Sequence, residues 1–189
     1  MLQIIHKLDT AITVWLFTNT PRTDLVDTFF LVLSAVVGGW IIAGLIGILM
    51  IYLLYRQYYR LVGELLSATG IGYVLNEFVF KSIIMRARPF QALVHELGTV
   101  SSSSICPENF SFPSSHTVVA FTAATVLERH YGNKHIILRV GFYLLAFLVG
   151  YSRIYLGCHF AFDVLAGAIV GIAVGYVVHM GVQRYHKSE

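Results

Sequence analysis

Five long apolar runs, near residues 38–55, 60–84, 115–129, 136–152 and 160–182, constrain this 189-residue chain more than any motif does. A helix needs about 20 apolar residues to cross the hydrocarbon of a bilayer. With no water there, its backbone polar groups must be satisfied within the segment. Hydrophobic residues make up 57% of the chain and charged residues 12%, and the mean hydropathy is +0.72. A water-soluble domain of this length needs far more polar surface. The expected fold class is therefore all-α integral membrane, a bundle of about five transmembrane helices.

The N-terminal part reads differently. Residues 3–19 carry Lys7 and Asp9, and residues 23–37 carry Asp24 and Asp27. Both stretches are expected as amphipathic helices lying at the membrane interface. A single helix over 24–55 would be about 48 Å long, longer than the bilayer core, so Gly38-Gly39 marks a break. The expectation is one domain over 1–189, with interfacial helices in 1–37 and a transmembrane core in 38–184. No internal repeat is found. "AITVWLF" follows Lys7 and Asp9 and lacks a small-residue cleavage site, so no cleavable signal is expected. Cys106 and Cys158 are too few for a disulfide scaffold and are read as unpaired small core residues.

Net charge is +3, too small an excess to argue for nucleic acid. In a membrane protein the placement of the positive charges matters more. "YRQYYR" (55–60), "ERHYGNKH" with Arg139 (128–139) and "QRYHK" (183–187) are basic connections that alternate with the others. They are expected in the cytoplasm, which puts 86–114 and the turn near 153–159 outside.

Those two outer segments hold the polar residues that are hardest to place in a membrane protein. In "KSIIMRARPF", Lys81 and Arg88 are seven residues apart, two helical turns, and are expected on one face of a span ending at Arg88 before Pro89. Two such cations suit a phosphate. In "FPSSHT", Pro113 and Ser114 signal a helix start, whose free N–H groups make an anion site, and His116 sits in its first turn. In "SRIYLGCHFAFDV", Asp163 follows His159 by four residues, so a helix beginning near His159 puts both on one face. A carboxylate there fixes the imidazole tautomer and leaves the other nitrogen free as nucleophile or base. Gly157 lets Arg153 and His159 converge.

Three cations, a helix-start anion site, two histidines and one orienting Asp at one membrane face fit phosphoryl transfer. A metal phosphatase needs several carboxylates around its ions. The outer segments offer only Glu96, Glu108 and an engaged Asp163, so no metal and no cofactor is expected. Glu77, one turn before Lys81, reads as a structural polar contact, and His95 and Glu96 as solvated loop residues.

Three stretches carry a resemblance. "KSIIMRARP" matches K-x6-R-P, "PSSH" matches P-S-G-H with one change, and "SRIYLGCHFAFD" matches S-R-x5-H-x3-D, in that order. They are similar to the three signature motifs of the type 2 phosphatidic acid phosphatase (PAP2) superfamily. That resemblance implies a helical membrane core and a metal-independent phosphohistidine mechanism. By position it implies His159 as nucleophile, Asp163 as its orienting partner and His116 as general acid. Lys81, Arg88, Ser114, Ser115 and Arg153 would bind phosphate, with Ser115 standing where the family has Gly. The short N-terminus and "RARPF" most resemble the small bacterial undecaprenyl diphosphate phosphatases. The implied partner is a lipid phosphate or diphosphate among membrane lipids, with phosphatidylglycerol phosphate or phosphatidic acid as runner-up substrate. A transporter without chemistry is the alternative from another class. Transporters gather polar residues near the midplane, often with inverted repeats, whereas here they gather at one face.

Overall fold

A computed structural model of the chain describes residues 2–38, 47, 51–52, 55–93, 106–132 and 135–187. The apolar run expected at 38–55, and with it the Gly38-Gly39 break, falls largely outside the described residues. Every described element is helical. In chain order they are α1 (Leu2–Asn19), α2 (Asp24–Gly38), α3 (Tyr59–Val74), a π-helical turn (Leu75–Phe80) and α4 (Lys81–Ile84). After these come α5 (Pro89–Ala92), α6 (Ser115–Leu127), a second π-helical turn (Glu128–Gly132), α7 (Ile136–Tyr155) and α8 (Ala161–Lys187).

Local chemistry sets the ends. Asp24 and Asp27 lie in the first turn of α2, where carboxylates complement the helix dipole. The helix through Lys81 stops four residues before Arg88: Met85 takes a left-handed conformation at φ 47°. Arg88 itself is extended, as the residue before a proline prefers. Helix α7 runs three residues beyond the expected 152, which puts Arg153 on its last turn. Gly157 follows the cap residue Leu156, and its φ of 69° suits a residue without a Cβ. Helix α8 starts after Phe160, and the Asp163 carboxylate reaches back to accept the Phe160 N–H at 2.9 Å.

The bundle has apolar outer faces and a polar interior. Ile137, Val140, Leu144 and Phe147 of α7 and Leu165, Ile169 and Val177 of α8 are exposed, while Glu64, Asn76, Lys81, Arg88, Arg153, His159 and Asp163 are buried. That is the reverse of a water-soluble bundle and the arrangement a lipid solvent requires. Helices α7 and α8 are long and apolar enough to cross a membrane. The N-terminal helix departs from a simple amphipathic surface helix. Its apolar residues Ile4, Leu8 and Trp15 face outward, and Asp9 and Thr13 point into the protein. Asp9 accepts the Phe162 N–H at 2.8 Å, and Thr13 accepts the Ala161 N–H at 2.9 Å, so α1 covers the free N–H groups at the start of α8.

One expectation is corrected. Cys106 and Cys158 are joined in a disulfide with Cα atoms 5.4 Å apart. Fifty-two residues separate them in sequence, which hides the pairing from any reading of spacing. Both are buried in one cluster with Leu156 and Tyr155, because the segment after Cys106 folds back over the turn between α7 and α8.

Helix α6 is the hub, and α8 lies against it along Gly167, Gly171 and Gly175. A Cβ built at Gly171 would stand 2.5 Å from the Val118 carbonyl oxygen, and one at Gly175 2.8 Å from Thr125 Cβ. Small residues at this spacing let two membrane helices touch backbone to backbone. The contact includes a hydrogen bond from Thr122 Oγ1 to the Gly171 carbonyl at 3.1 Å. Gly171→Ala is therefore expected to destabilise the protein by about 1–3 kcal/mol through overpacking. Gly141→Ala, where a new Cβ meets nothing within 4 Å, should be neutral or stabilising. Thermal unfolding of both variants in detergent checks the pair, and equal behaviour would contradict the close approach.

Candidate active site

The polar groups singled out in the sequence converge at the end of the bundle where α4, α6, α7 and α8 meet. His159 sits in the turn before α8 rather than on it, fully buried. Arg88 Nη1 lies 2.9 Å from His159 Nε2. A guanidinium can only donate, so Nε2 must be the unprotonated nitrogen and Nδ1 carries the proton. Nδ1 faces Asp163 Oδ2 and Ser111 Oγ, each at 3.5 Å. Burial, followed by the charges of Arg88, Arg153 and Lys81, pushes the His159 pKa well below its ordinary value. The ring is therefore neutral at physiological pH.

Asp163 is held by more than the histidine. Its Oδ1 pairs with Arg86 Nη1 at 2.7 Å, and Oδ2 accepts a short hydrogen bond from Ser111 Oγ. Arg86 also pairs with Asp9 of α1 at 2.7 Å and lies over the Phe160 ring at 3.7 Å. The Asp163 carbonyl accepts the Ser114 N–H at 3.1 Å, which ties the start of α6 to the first turn of α8.

The cations reach the site by separate routes. Arg88 comes from extended chain rather than from the helix face of Lys81. Its guanidinium is clamped by the Asn109 carbonyl at 2.7 Å, Asn109 Oδ1 at 2.6 Å and the Cys158 carbonyl at 3.0 Å. Burial lowers its pKa to about 10, so it stays charged. Lys81 pairs with Glu77 at 2.6 Å. Glu77 also accepts from Ser115 Oγ, a short bond, and from Asn109 Nδ2 at 2.9 Å. Glu77 thus links the first and second motifs. Arg153 is buried, with Nη1 donating to Ser34 of α2, and its Nε and Nη2 have no partner among the described residues. Two orphaned guanidinium donors are costly unless an anion meets them.

Ser114 stands at the N-cap position of α6, fully buried, and its hydroxyl accepts from Thr117 Oγ1 at 3.0 Å rather than from a backbone N–H. Ser115 takes a further hydrogen bond from Asn76 at 2.9 Å. The Ser115 hydroxyl is thus engaged on both sides, by Asn76 and by Glu77. His116 is half-buried, makes no hydrogen bond among the described residues, and lies within electrostatic reach of Arg153, His159, Arg88 and Lys81. Sequence reading misses Arg86, Ser111, Asn109 and Asn76, which position the others. The only signal is the first arginine in "RARP", Arg86, whose role depends on a contact 77 residues away.

Comparison with known proteins gives these residues a setting. A family model described as the PAP2 superfamily matches residues 61–187. A lipid A 4'-phosphatase of Porphyromonas gingivalis is 28% identical over 189 residues, covering 97% of this chain and 77% of that one. Undecaprenyl-diphosphatase BcrC of Bacillus subtilis is 30% identical over 112 residues, 58% of this chain and 52% of its own length. Against other curated relatives the chain spans between 15% and 57% of their length. Among solved structures, Aquifex aeolicus LpxE superposes with a TM-score of 0.71 at 30% identity, covering 90% of this chain and 93% of that one. The matched region takes in all three motifs and the helices that hold them, and the chain belongs to the PAP2 superfamily.

Proposed function

We propose that this chain is a membrane lipid phosphatase that removes the terminal phosphate of a lipid phosphate or diphosphate through a phosphohistidine at His159. The observation that carries the reading is the state of the His159 ring: Nδ1 protonated toward Asp163, Nε2 bare beneath a cluster of three cations. A phosphoryl group entering the site takes the place of the ring at Arg88 and meets the open donors of Arg153. The Nε2 lone pair attacks phosphorus, and the bond to the leaving oxygen breaks with its electrons going to that oxygen. His116, whose side chain has no hydrogen-bond partner among the described residues, donates a proton to it. Water then attacks the phosphohistidine, His116 takes a proton from the water, and the N–P electrons return to Nε2 as inorganic phosphate leaves. Lys81, Arg88 and Arg153 take up the charge that develops on the equatorial oxygens. No step calls for a metal ion.

For the substrate we favour undecaprenyl diphosphate, supported by "RARPF" and by the similarity to BcrC. The longer alignment with a lipid A 4'-phosphatase favours a phosphorylated glycolipid as the second reading. Phosphate release from a panel of these lipids, phosphatidylglycerol phosphate and phosphatidic acid distinguishes the substrates. Failure on all of them, in any detergent or vesicle, would reject the function.

The proposed topology is multi-pass, with the site on the extracytoplasmic face. Support comes from the basic connections at the other end of the bundle and from the disulfide beside the site, a bond that oxidising compartments permit.

Three expected outcomes follow from the site. His159→Ala abolishes turnover of every substrate and acid-labile phosphoenzyme with it, while chelator leaves the native protein active. A lipid monophosphate is a better leaving group than a lipid alkoxide, so His116→Ala should cost less on the diphosphate than on phosphatidic acid. General acid catalysis contributes roughly 10²–10⁴-fold only where the leaving atom needs the proton. Single-turnover rates check this, and equal losses would reassign His116 to phosphate binding.

Arg86 contacts Asp163 and Asp9 and acts on catalysis only through Asp163. Arg86→Gln should lower kcat by at least about tenfold, equivalent to about 1.4 kcal/mol, with KM little changed. Asp9→Asn should produce a smaller loss of the same kind. A rise in KM with kcat intact would instead place Arg86 in direct contact with substrate.

For topology, an impermeant thiol reagent applied to intact cells should label Glu108→Cys and spare Gln57→Cys, with the native disulfide kept. The reverse pattern would invert the orientation.

A further inference from the structure

At the opposite end of the bundle a second polar cluster is buried, and the proposed chemistry makes no use of it. Glu64 on α3, His130 in the π-helical turn after α6 and His179 on α8 converge there. Asp163 and His179 are 16 residues apart on α8, about 24 Å along the helix, so the cluster stands well clear of the catalytic groups. His179 Nδ1 lies 2.7 Å from Glu64 Oε1, and His130 Nε2 lies 3.0 Å from Glu64 Oε2. The ligand atoms of all three lie within 4.8 Å of one another. The two imidazoles meet edge to face, with centroids 5.7 Å apart.

The Glu64 side chain is 1% exposed. Its two oxygens meet histidines and, among the described residues, neither Lys nor Arg. Of the arginines at this end, Arg139 and Arg129 pair with Glu128 at 2.8 and 3.8 Å, and Arg129 also lies over Tyr176. A carboxylate this deeply buried is unfavourable unless its surroundings balance its charge. A divalent ion would compensate it. Two imidazole nitrogens and one carboxylate oxygen are the donor set of three-ligand zinc sites, which leave a fourth position to water. His130 and His179 are 24% and 15% exposed, so that position has a path to solvent.

We propose that Glu64, His130 and His179 bind a divalent transition-metal ion of the Zn²⁺ type, which joins α3, the end of α6 and α8. On binding, each ring carries its proton on the nitrogen away from the ion, and Glu64 turns one oxygen toward it. The donor set favours Zn²⁺, Co²⁺ or Cu²⁺ over Mg²⁺ and Ca²⁺, which prefer oxygen ligands. The role is structural, and it is independent of the reading of the catalytic end.

The test uses tag-free, full-length protein in detergent, stripped with chelator and titrated with Zn²⁺ or Co²⁺ by calorimetry and absorption. The expected result is one ion per chain, visible Co²⁺ bands of four- or five-coordination, and a melting temperature raised by about 5–10 °C at a hundredfold excess of Zn²⁺ over its Kd. Glu64→Gln and His179→Gln should each weaken binding by at least about tenfold, the range seen when a metal site loses a supporting group. His159→Asn should bind as the native protein does. His130→Gln, at the more exposed ligand, serves where Glu64→Gln does not give a monodisperse protein. The proposal is overturned if the stripped protein takes up neither ion. It is also overturned if the ion persists in the triad variants, or is lost in His159→Asn and so belongs to the catalytic end.

Discussion

The buried carboxylate of Asp163 organises one end of this molecule. A carboxylate with no exposure must be surrounded by donors, and each donor found for it comes from a different part of the chain. Arg86 brings the coil after α4 and, through Asp9, the N-terminal helix. Ser111 brings the segment that precedes α6, and Phe160 N–H fixes the first turn of α8. The backbone carbonyl of the same residue takes the Ser114 N–H. The demands of one desolvated charge therefore set the mutual placement of four segments. His159 is oriented as a member of that arrangement rather than by a private pair with Asp163.

The helices were legible because membrane helices announce themselves by length and apolarity, and α7 and α8 begin within one residue of the runs read from the sequence. The motif residues were legible because Lys, Arg, His and Asp are costly in such surroundings and so stand out. Their geometry was less so. Lys81 and Arg88 meet the site from different backbone conformations, because a π-helical turn shifts the register before Lys81 and Met85 ends the helix early. Periodicity assumes an unbroken α-helix and cannot see either event. Asp9 was read as part of an amphipathic helix at the membrane interface, yet its partners are the Phe162 N–H and Arg86. The disulfide was invisible for a simpler reason, since two cysteines on one side of a membrane carry no information about distance.

The interior of the bundle is divided along its length. Between the His159 end and the Glu64 end, the contact between α6 and α8 is made by Gly167, Gly171 and Gly175 against Thr117, Thr125 and Phe121 side chains and backbone carbonyl oxygens. Close backbone approach leaves no room for water or for long polar groups there. Charge is accordingly concentrated in two separate clusters, with the tightest packing between them. A rigid middle of this kind holds each cluster in place without transmitting polar contacts from one to the other.

The cross-link between Cys106 and Cys158 bears on how anything reaches His159. It fastens the covering segment, which carries Asn109 and Ser111, to the residue next to the histidine. That roof cannot hinge away as a lid on that side. The partly exposed members of the site include Arg86 and Glu77, with side chains 19% and 16% exposed, and the half-buried His116. Glu77 and His116 stand where the π-helical turn meets the start of α6. In the proposed reaction a phosphate group would reach His159 past Glu77 and His116, along the flank of the bundle. A headgroup sliding within the plane of the bilayer can follow that path more readily than a solute descending from the water above.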